Sequence, residues 1–193
     1  MKNEEISEAT KRMMAASLKK FMKKKDFDKI TVKEIIEDCN ISRPTFYYHF
    51  ADIYELMEWM FRTEMIDLLK ESDNVLTWDE GILLLLNYVE DNREVCLCAY
   101  RSVGYDVLKR MFFESTRKML RRFIDNLNEE VNADPADVEF ITDFYTQAFA
   151  GCLLSWIQGG MKQTPDELIH RFDIAVHGSI AAALKRSADC NKQ

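Results

Sequence analysis

The sequence predicts an all-α protein with an N-terminal three-helix helix-turn-helix domain, a C-terminal helical bundle and about nine helices in total. The 193 residues include only 6 glycines and 3 prolines, which favours helices throughout. Helix start signals recur along the chain, and apolar residues return at three- and four-residue steps between them. No segment shows the alternating apolar and polar pattern that is typical of a strand.

Four helix starts have the spacing of a capping box, in which a side-chain acceptor is followed three residues later by glutamate. These pairs are Thr31–Glu34, Asp52–Glu55, Thr77–Glu80 and Thr164–Glu167. Proline follows a capping residue at positions 135 and 165, where its missing amide hydrogen costs nothing. The predicted helices are 5–24, 32–38, 43–50, 53–71, 78–91, 94–103, 106–130, 135–158 and 165–186.

The charge is divided unevenly along a chain whose formal net charge is −7. Residues 1–50 hold 11 Lys and Arg against 8 Asp and Glu, whereas the remaining residues hold 15 against 25. This asymmetry indicates two functions on one chain, although a solvated basic face on the first helix is an alternative explanation.

The apolar runs fall well short of the ~20 residues that span a bilayer. The first residues are acidic where a secretory signal would be basic and then apolar. The 5 cysteines lack the paired spacing of a metal or redox motif, which suits a reducing compartment. We therefore expect a cytoplasmic protein that does not associate with a membrane.

The segment TVKEIIEDCNISRPTFYYHF at 31–50 is the most informative part of the sequence. A short amphipathic helix ends at Asn40, a residue type that tolerates the left-handed conformation of a turn. Ser42 can cap the next helix, and Pro44 suits its first turn. Two short helices joined by a tight polar turn form a helix-turn-helix, whose second helix enters the DNA major groove.

Helical spacing divides the aromatic residues of this segment into two faces. Phe46 and Phe50 lie four residues apart and are expected to point inward with Ile41. The outward side chains are of types that bind phosphates and base edges, namely Arg43, Thr45, Tyr47, Tyr48 and His49. Arg43 is the best candidate for a bidentate contact with guanine. A buried tyrosine-rich helix is the alternative, but so short a helix cannot bury both faces.

The longer segment FDKITVKEIIEDCNISRPTFYYHFADIYELM closely resembles the N-terminal helix-turn-helix of TetR-family transcriptional regulators. The resemblance covers about residues 8–60, and it implies that Thr31 binds phosphate. It also implies that the recognition-helix contacts are made by Arg43, Pro44, Thr45, Tyr47, Tyr48 and His49. The segment GCLLSWIQGGMKQTPDELI more weakly resembles ligand domains of the same family.

Two positions depart from the family pattern: Asn40, where glycine is common and the change should be tolerated, and Ile53, which bears on DNA binding. The family usually has a phosphate-binding lysine at the start of its fourth helix, and this chain has Ile53. Tyr54 is expected to replace part of that contact, as are lysines such as Lys2, Lys11 or Lys33. Weaker and less salt-dependent DNA binding is expected, since each phosphate contact contributes roughly one unit to the salt slope.

The composition changes near residue 51, which predicts a helix-turn-helix DNA-binding domain at 1–52 and a ligand-sensing and dimerisation domain at 53–193. The resemblance implies that the last two helices of each subunit build a dimer interface. Their apolar positions predict its residues, Phe149, Cys152, Trp156, Leu168, Phe172, Val176 and Ala183. A homodimer would read a near-palindromic double-stranded DNA operator. Packing of these helices within a monomer is the alternative.

The resemblance also implies a pocket for an unknown small-molecule effector in the helical bundle. Its expected aromatic wall consists of Trp59, Tyr88, Tyr100, Phe112, Phe113, Tyr145 and Phe149. Ordinary core packing is the alternative for each of these residues. Ligand binding is expected to move the fourth helix and so change the spacing of the recognition helices.

These features predict a ligand-responsive DNA-binding transcriptional regulator, expected to be a homodimeric repressor that its effector releases from the operator. The alternative is a TetR-like protein with weakened DNA binding that acts as a co-regulator through a protein partner. No enzyme activity or catalytic residue is expected, because the sequence lacks a phosphate loop and a nucleophile motif. No cofactor and no metal site are expected either.

Overall fold

A computed structural model describes residues 2–71 and 77–190, and these residues form nine α-helices, one 3-10 turn at Phe27–Lys29 and no strand. The predicted all-α class is thereby confirmed. The helices are α1 (Lys2–Met22), α2 (Val32–Asp38), α3 (Arg43–His49), α4 (Ile53–Glu71), α5 (Trp78–Asp91), α6 (Arg93–Val131), α7 (Pro135–Gln158), α8 (Pro165–Val176) and α9 (Ser179–Cys190). In the described ranges, none of these helices combines the length and apolar character that crossing a membrane requires.

The capping boxes predicted from the sequence start three of these helices. At α2 the amide of Glu34 donates to the Thr31 hydroxyl at 3.3 Å, and the amide of Thr31 donates to the Glu34 carboxylate at 3.0 Å. Thr77 and Thr164 form the same reciprocal arrangement at α5 and α8. Each box satisfies amides that otherwise have no partner in the first helical turn.

The chain is divided into helices differently from the sequence-based expectation in two places. The predicted helices 94–103 and 106–130 form one continuous helix, α6, because a glycine inside a well-packed helix weakens it without ending it. The predicted helix 165–186 is divided into α8 and α9, because Gly178 adopts a left-handed φ of +67° between them. The expected number of helices is therefore correct, although the predicted break within α6 is absent and the break between α8 and α9 was not predicted.

One apolar core connects the helix-turn-helix with the bundle. Phe27 and Phe46 are fully buried in the N-terminal part, and Leu86 and Leu120 are buried in the bundle. The long helix α6 packs along α7 and also contacts α1, α4, α5 and α9, so it is the central element of the fold. The predicted boundary after residue 52 lies directly before α4, whose Leu56 is fully buried in the same core.

Replacement of Phe46 by alanine tests how α3 is anchored. We expect Phe46→Ala to lower the free energy of unfolding by about 3–5 kcal/mol, because the side chain is fully buried. Tyr48→Ala on the same helix is the control and should change stability by no more than about 0.5 kcal/mol, since Tyr48 is 83% exposed. Urea unfolding followed by circular dichroism at equal protein concentration measures both. Equal losses would contradict the division of α3 into an inward and an outward face.

Candidate nucleic-acid interface

The turn between α2 and α3 is closed by the backbone of four residues. Asn40 adopts the left-handed conformation expected from the sequence, with φ +51°. The amides of Asn40 and Ile41 donate to the carbonyls of Glu37 at 3.3 Å and Ile36 at 3.0 Å, which is the pattern of a Schellman motif. This motif fixes the angle at which α3 leaves α2.

The start of α3 is held by its own side chains. The hydroxyl of Ser42 accepts from the amide of Thr45 at 3.2 Å and lies 2.7 Å from the Thr45 hydroxyl, with Pro44 in the same turn. Phe46 is fully buried and Phe50 nearly so, with 6.2 Å between the ring centroids. The inward face therefore consists of the two phenylalanines that the spacing predicts.

The outward face of α3 carries an arginine paired with a tyrosine. Arg43 is exposed, its guanidinium lies 5.6 Å from the ring centroid of Tyr47, and Nη2 lies 3.4 Å from the Tyr47 hydroxyl. Tyr48 projects into solvent, and its ring centroid lies 4.9 Å from that of the half-buried His49. Stacking on Tyr47 restricts the guanidinium while leaving donors free for a base edge.

A second cation lies near the C-terminal end of α3. Lys11 of α1 has its Nζ 5.8 Å from the ring centroid of Trp59. Burial lowers the pKa of His49, and the charge of Lys11 lowers it further. His49 is therefore neutral at pH 7 in the free protein and can offer a ring N–H, while Lys11 supplies the positive charge.

Thr31 and Lys33, at the start of α2, both have carboxylate neighbours. The Thr31 hydroxyl donates to one carboxylate oxygen of Glu34 at 3.0 Å. Lys25 donates to the other oxygen at 2.6 Å, and this bond lowers the pKa of Glu34. A phosphate at Thr31 has to compete with this bond. Lys33 is exposed and lies 3.8 Å from Glu37, so its ammonium is accessible to a phosphate.

The start of α4 is closed by carboxylates. Asp52 accepts from the amides of Tyr54 at 2.8 Å and Glu55 at 2.9 Å, and Glu55 accepts from the amide of Ala51 at 2.6 Å. Free amides at a helix start bind phosphate well, but these are already occupied by negative groups. The Asp52–Glu55 spacing is present in the sequence. Its effect on anion binding depends on which amides the two carboxylates occupy, and this is seen only in the structure. The segment around Ile53 therefore disfavours phosphate for two reasons: it lacks the lysine that is usual in the family, and carboxylates occupy its amides.

Tyr54 is directed toward another carboxylate. Its hydroxyl lies 3.5 Å from Asp28, and its ring packs edge-on against Phe27 with 4.9 Å between centroids. Half of the ring surface remains exposed. The phenol can still donate to a phosphate, but the neighbouring charge of Asp28 opposes that contact.

The aromatic residues expected around an effector make separate contacts in the structure. Trp59 packs against Phe50 with 5.8 Å between ring centroids, and Phe112 lies near Phe61 with 6.4 Å between centroids. Tyr88 directs its hydroxyl to a carboxylate of α4. These three side chains therefore contact different neighbours.

The remaining expected pocket residues lie in other parts of the bundle. Tyr145 donates to the hydroxyl of Ser179 at 2.7 Å, and Phe149 lies between Trp78 and Phe172, with centroids 5.6 Å and 5.0 Å away. The other two, which are half-buried, are Tyr100 and Phe113. The partners observed for Tyr145 and Phe149 are neighbouring side chains of the bundle, so the pocket remains a prediction.

Most residues expected at a dimer interface are buried within the protomer. Phe149, Trp156, Leu168 and Phe172 are at most 8% exposed, and the Trp156 indole donates to the carbonyl of Gln163 at 2.9 Å. They have little surface left to bury against a second chain. Cys152 is exposed, and the half-buried members of the set are Val176 and Ala183.

The large apolar side chains exposed on α7 and α8 are different ones. Phe140 and Phe144 are 70% and 59% exposed on α7, and Ile174 is 72% exposed on α8. The two phenylalanine rings stack with 6.4 Å between centroids. The large α7 residues predicted for the interface, Phe149 and Trp156, lie on the buried face of the helix. Phe140 and Phe144 lie on its exposed face.

Two family models match the chain. Residues 16–60 match the bacterial regulatory proteins of the tetR family, and residues 76–178, more than half of the chain, match the transcriptional regulator C-terminal region. The chain belongs to the TetR family of transcriptional regulators. Membership of the TetR family identifies α2 and α3 as a DNA-binding helix-turn-helix and favours a direct DNA-binding regulator over a co-regulator without DNA contacts.

Similar proteins include other transcriptional regulators. The HTH-type dhaKLM operon transcriptional activator DhaS of Lactococcus lactis subsp. lactis is 30% identical over 84 residues, which are 44% of this chain and 45% of that protein. The match thus spans about half the length of this relative. Two solved structures share the TetR fold, and their identities of 22% and 17% support the fold alone.

The first of these structures is the dihydroxyacetone kinase operon activator DhaS. It has a TM-score of 0.70 and 22% identity, and the match covers 89% of this chain and 96% of that chain. The second is a tetR-family transcriptional regulator from Streptomyces coelicolor. Its TM-score is 0.56 with 17% identity, over 93% of this chain and 88% of that chain.

A lysine at position 53 tests whether the start of α4 faces the DNA backbone. We expect Ile53→Lys to tighten binding and to steepen the dependence of log affinity on log salt by about 0.9 per protomer, the contribution of one phosphate contact. Ile53→Gln controls for the lost apolar packing without adding charge. Fluorescence anisotropy with DNA from upstream of the gene, between about 50 and 200 mM salt, measures the slope. An unchanged slope would show that no phosphate lies near residue 53.

Proposed function

We propose that this TetR-family protein is a homodimeric, ligand-responsive regulator that reads a near-palindromic operator through α3. The main support is the outward face of α3, where Arg43, Tyr47 and Tyr48 are exposed while Phe46 anchors the helix from the other side. A rigidly held helix with a stacked arginine is suited to the major groove.

The contacts on this face divide into base reading and backbone binding. Arg43 is assigned to a guanine edge, because its fork of donors matches the guanine O6 and N7 acceptors and Tyr47 limits its freedom. Tyr48 offers a ring to a thymine methyl or a hydroxyl to a phosphate. Lys11 and Lys33 are assigned to phosphates, in place of the contact that Ile53 lacks.

Base contacts should supply an unusually large share of the operator affinity. The start of α4 carries Ile53 together with the carboxylates of Asp52 and Glu55, so the sequence-independent attraction to phosphates is reduced there. Reduced backbone attraction lowers nonspecific binding more than specific binding. The expected result is a moderate affinity with a shallow salt dependence.

The outward face of α7 supports a homodimer. Phe140 and Phe144 form an exposed aromatic pair. Further along α7 the space beside Gly151 is open, because a Cβ built there would meet no atom within 4 Å. Ile174 extends the exposed apolar surface onto α8. A second copy of the chain is the occupant we propose, because two copies place two recognition helices about 34 Å apart on one side of the DNA.

Repression is the output we propose, since a dimer bound over a promoter blocks transcription by occupancy alone. Activation is the second candidate, and it is favoured by the relative and the solved structure that are both named DhaS operon activators. A reporter gene behind the native upstream DNA distinguishes the two. Supplying the wild-type protein lowers reporter output if it represses and raises output if it activates, and Arg43→Ala should remove either effect.

A small-molecule effector is proposed to act from the bundle, in the cytoplasm where the operator is found. A ligand that prefers one arrangement of the helices shifts the population toward it and changes the spacing of the recognition helices. Ligand binding to the native state also raises thermal stability by mass action. A thermal-shift screen followed by operator release therefore identifies the effector class.

Alanine at Arg43 or Tyr47 tests base reading. We expect each variant to weaken specific operator binding about 5- to 150-fold, equivalent to the 1–3 kcal/mol of a bidentate base contact. Arg186→Ala, an exposed arginine on α9, is the matched control and should bind as the wild type does. Gel-shift titrations on the upstream DNA and on a scrambled duplex measure specific and nonspecific binding. Equal loss on both duplexes would contradict base reading.

Glutamate at Phe144 tests the dimer surface. Phe144→Glu places a charge on the proposed interface and should raise the dimer dissociation constant at least about 10-fold, because a central aromatic contact is worth 2 kcal/mol or more. Ile6→Glu, at another exposed apolar residue on α1, is the control and should leave the dimer intact. Sedimentation velocity over a concentration series measures the equilibrium. A dimer unaffected by Phe144→Glu would place the interface elsewhere.

A further inference from the structure

Glu64 of α4 joins three helices through one carboxylate. The Nζ of Lys19, from α1, lies 3.0 Å and 2.8 Å from its two oxygens, and the hydroxyl of Tyr88, from α5, donates to Oε2 at 2.5 Å. The same Nζ lies 5.7 Å from the ring centroid of Tyr88. Each of the three side chains therefore contacts the other two, and we refer to them as the Glu64 junction.

The Glu64 junction is shielded from solvent. The side chains of Lys19 and Glu64 are only 24% and 29% exposed, so salt screens their attraction less than that of a surface pair. Burial raises the pKa of Tyr88, and the charge of Glu64 raises it further. The phenol therefore remains a donor, and all three bonds to Glu64 are charge-assisted.

The end of α3 and the start of α4 are joined by several contacts. The ring of Phe50, at the end of α3, packs against Trp59 in α4 with 5.8 Å between centroids. The amide of Ala51 donates to Glu55, and Leu56 is fully buried beside the helix-turn-helix core. The corner between α3 and α4 is thus held on both its apolar and its polar sides.

The third helix of the junction belongs to the bundle. Tyr88 lies on α5, which packs against α6 and α8. Lys19 lies on α1, which packs against α2 and α4. A single carboxylate thereby connects the helices that present α3 with the helices that surround the expected effector region.

We propose that Lys19, Glu64 and Tyr88 are positioning residues for operator binding, which hold the helix-turn-helix at one orientation against the bundle. The inference rests on the proposed DNA-binding function. A dimer engages two half-sites only when its recognition helices have the correct separation. Freedom at the junction lowers the fraction of molecules in that arrangement, and the apparent dissociation constant rises in inverse proportion to this fraction.

Tyr88→Phe and Glu64→Gln test this role with minimal loss of volume. We expect both to weaken operator binding about 5-fold or more while leaving the salt slope unchanged, because neither side chain contacts a phosphate. Glu129→Gln, at an exposed carboxylate near the end of α6, removes the same charge as Glu64→Gln; it is the matched control and should bind as the wild type does. Anisotropy titrations on the upstream DNA at several salt concentrations, with thermal unfolding of each variant, provide the readouts.

The outcomes separate this inference from the proposed function. Wild-type or tighter operator binding by folded Tyr88→Phe and Glu64→Gln overturns the positioning role, as does a flattened salt slope or an equal loss in Glu129→Gln. If the wild-type protein itself shows no specific shift, the proposed function fails. Hydrogen exchange then still decides the mechanical link: faster exchange of α4 amides in Tyr88→Phe and Glu64→Gln than in Glu129→Gln supports it, and equal rates in all three variants overturn it.

Discussion

Helix α4 packs against α1 of the N-terminal part and against the bundle at the same time, and this double burial constrains the whole structure. Leu56, Met57, Met60 and Phe61 are all at most 2% exposed, and the helix contacts α1, α5 and α6. Close-packed interfaces shift between discrete arrangements and do not deform continuously. The orientation of α3 is therefore determined jointly with the packing of the bundle.

The surface proposed to face DNA combines a base-reading element on α3 with weak electrostatic attraction at the start of α4. Arg43 and Tyr47 form a stacked pair on a helix that Phe46 holds rigidly. Next to it, carboxylates occupy the amides at the start of α4, where the family usually binds phosphate. We expect this arrangement to lower the general affinity for DNA, in keeping with a net charge of −7. Discrimination between sequences then depends mainly on α3.

The sequence predicted local features well because they depend on neighbouring residues. Asn40 and the capping threonines act within one turn of helix, so their effect is readable from spacing alone. The break at Gly178 and the continuity of α6 depend on tertiary packing, which the local pattern does not contain. Periodicity likewise identified the apolar face of α7 that includes Phe149. It could not tell whether that face packs within the same protomer or against a second one. In the structure it packs within the same protomer.

The position of Tyr88 connects the expected effector region with the DNA-binding helices. Its hydroxyl bonds Glu64, so displacement of α5 acts on a carboxylate that also binds Lys19 of α1. A hydrogen bond to a charged group contributes about 1.5–3 kcal/mol. Allosteric coupling energies are typically about 1–3 kcal/mol. A bond at the Glu64 junction that forms in one arrangement of the helices and is lost in the other would therefore supply a coupling free energy of this size.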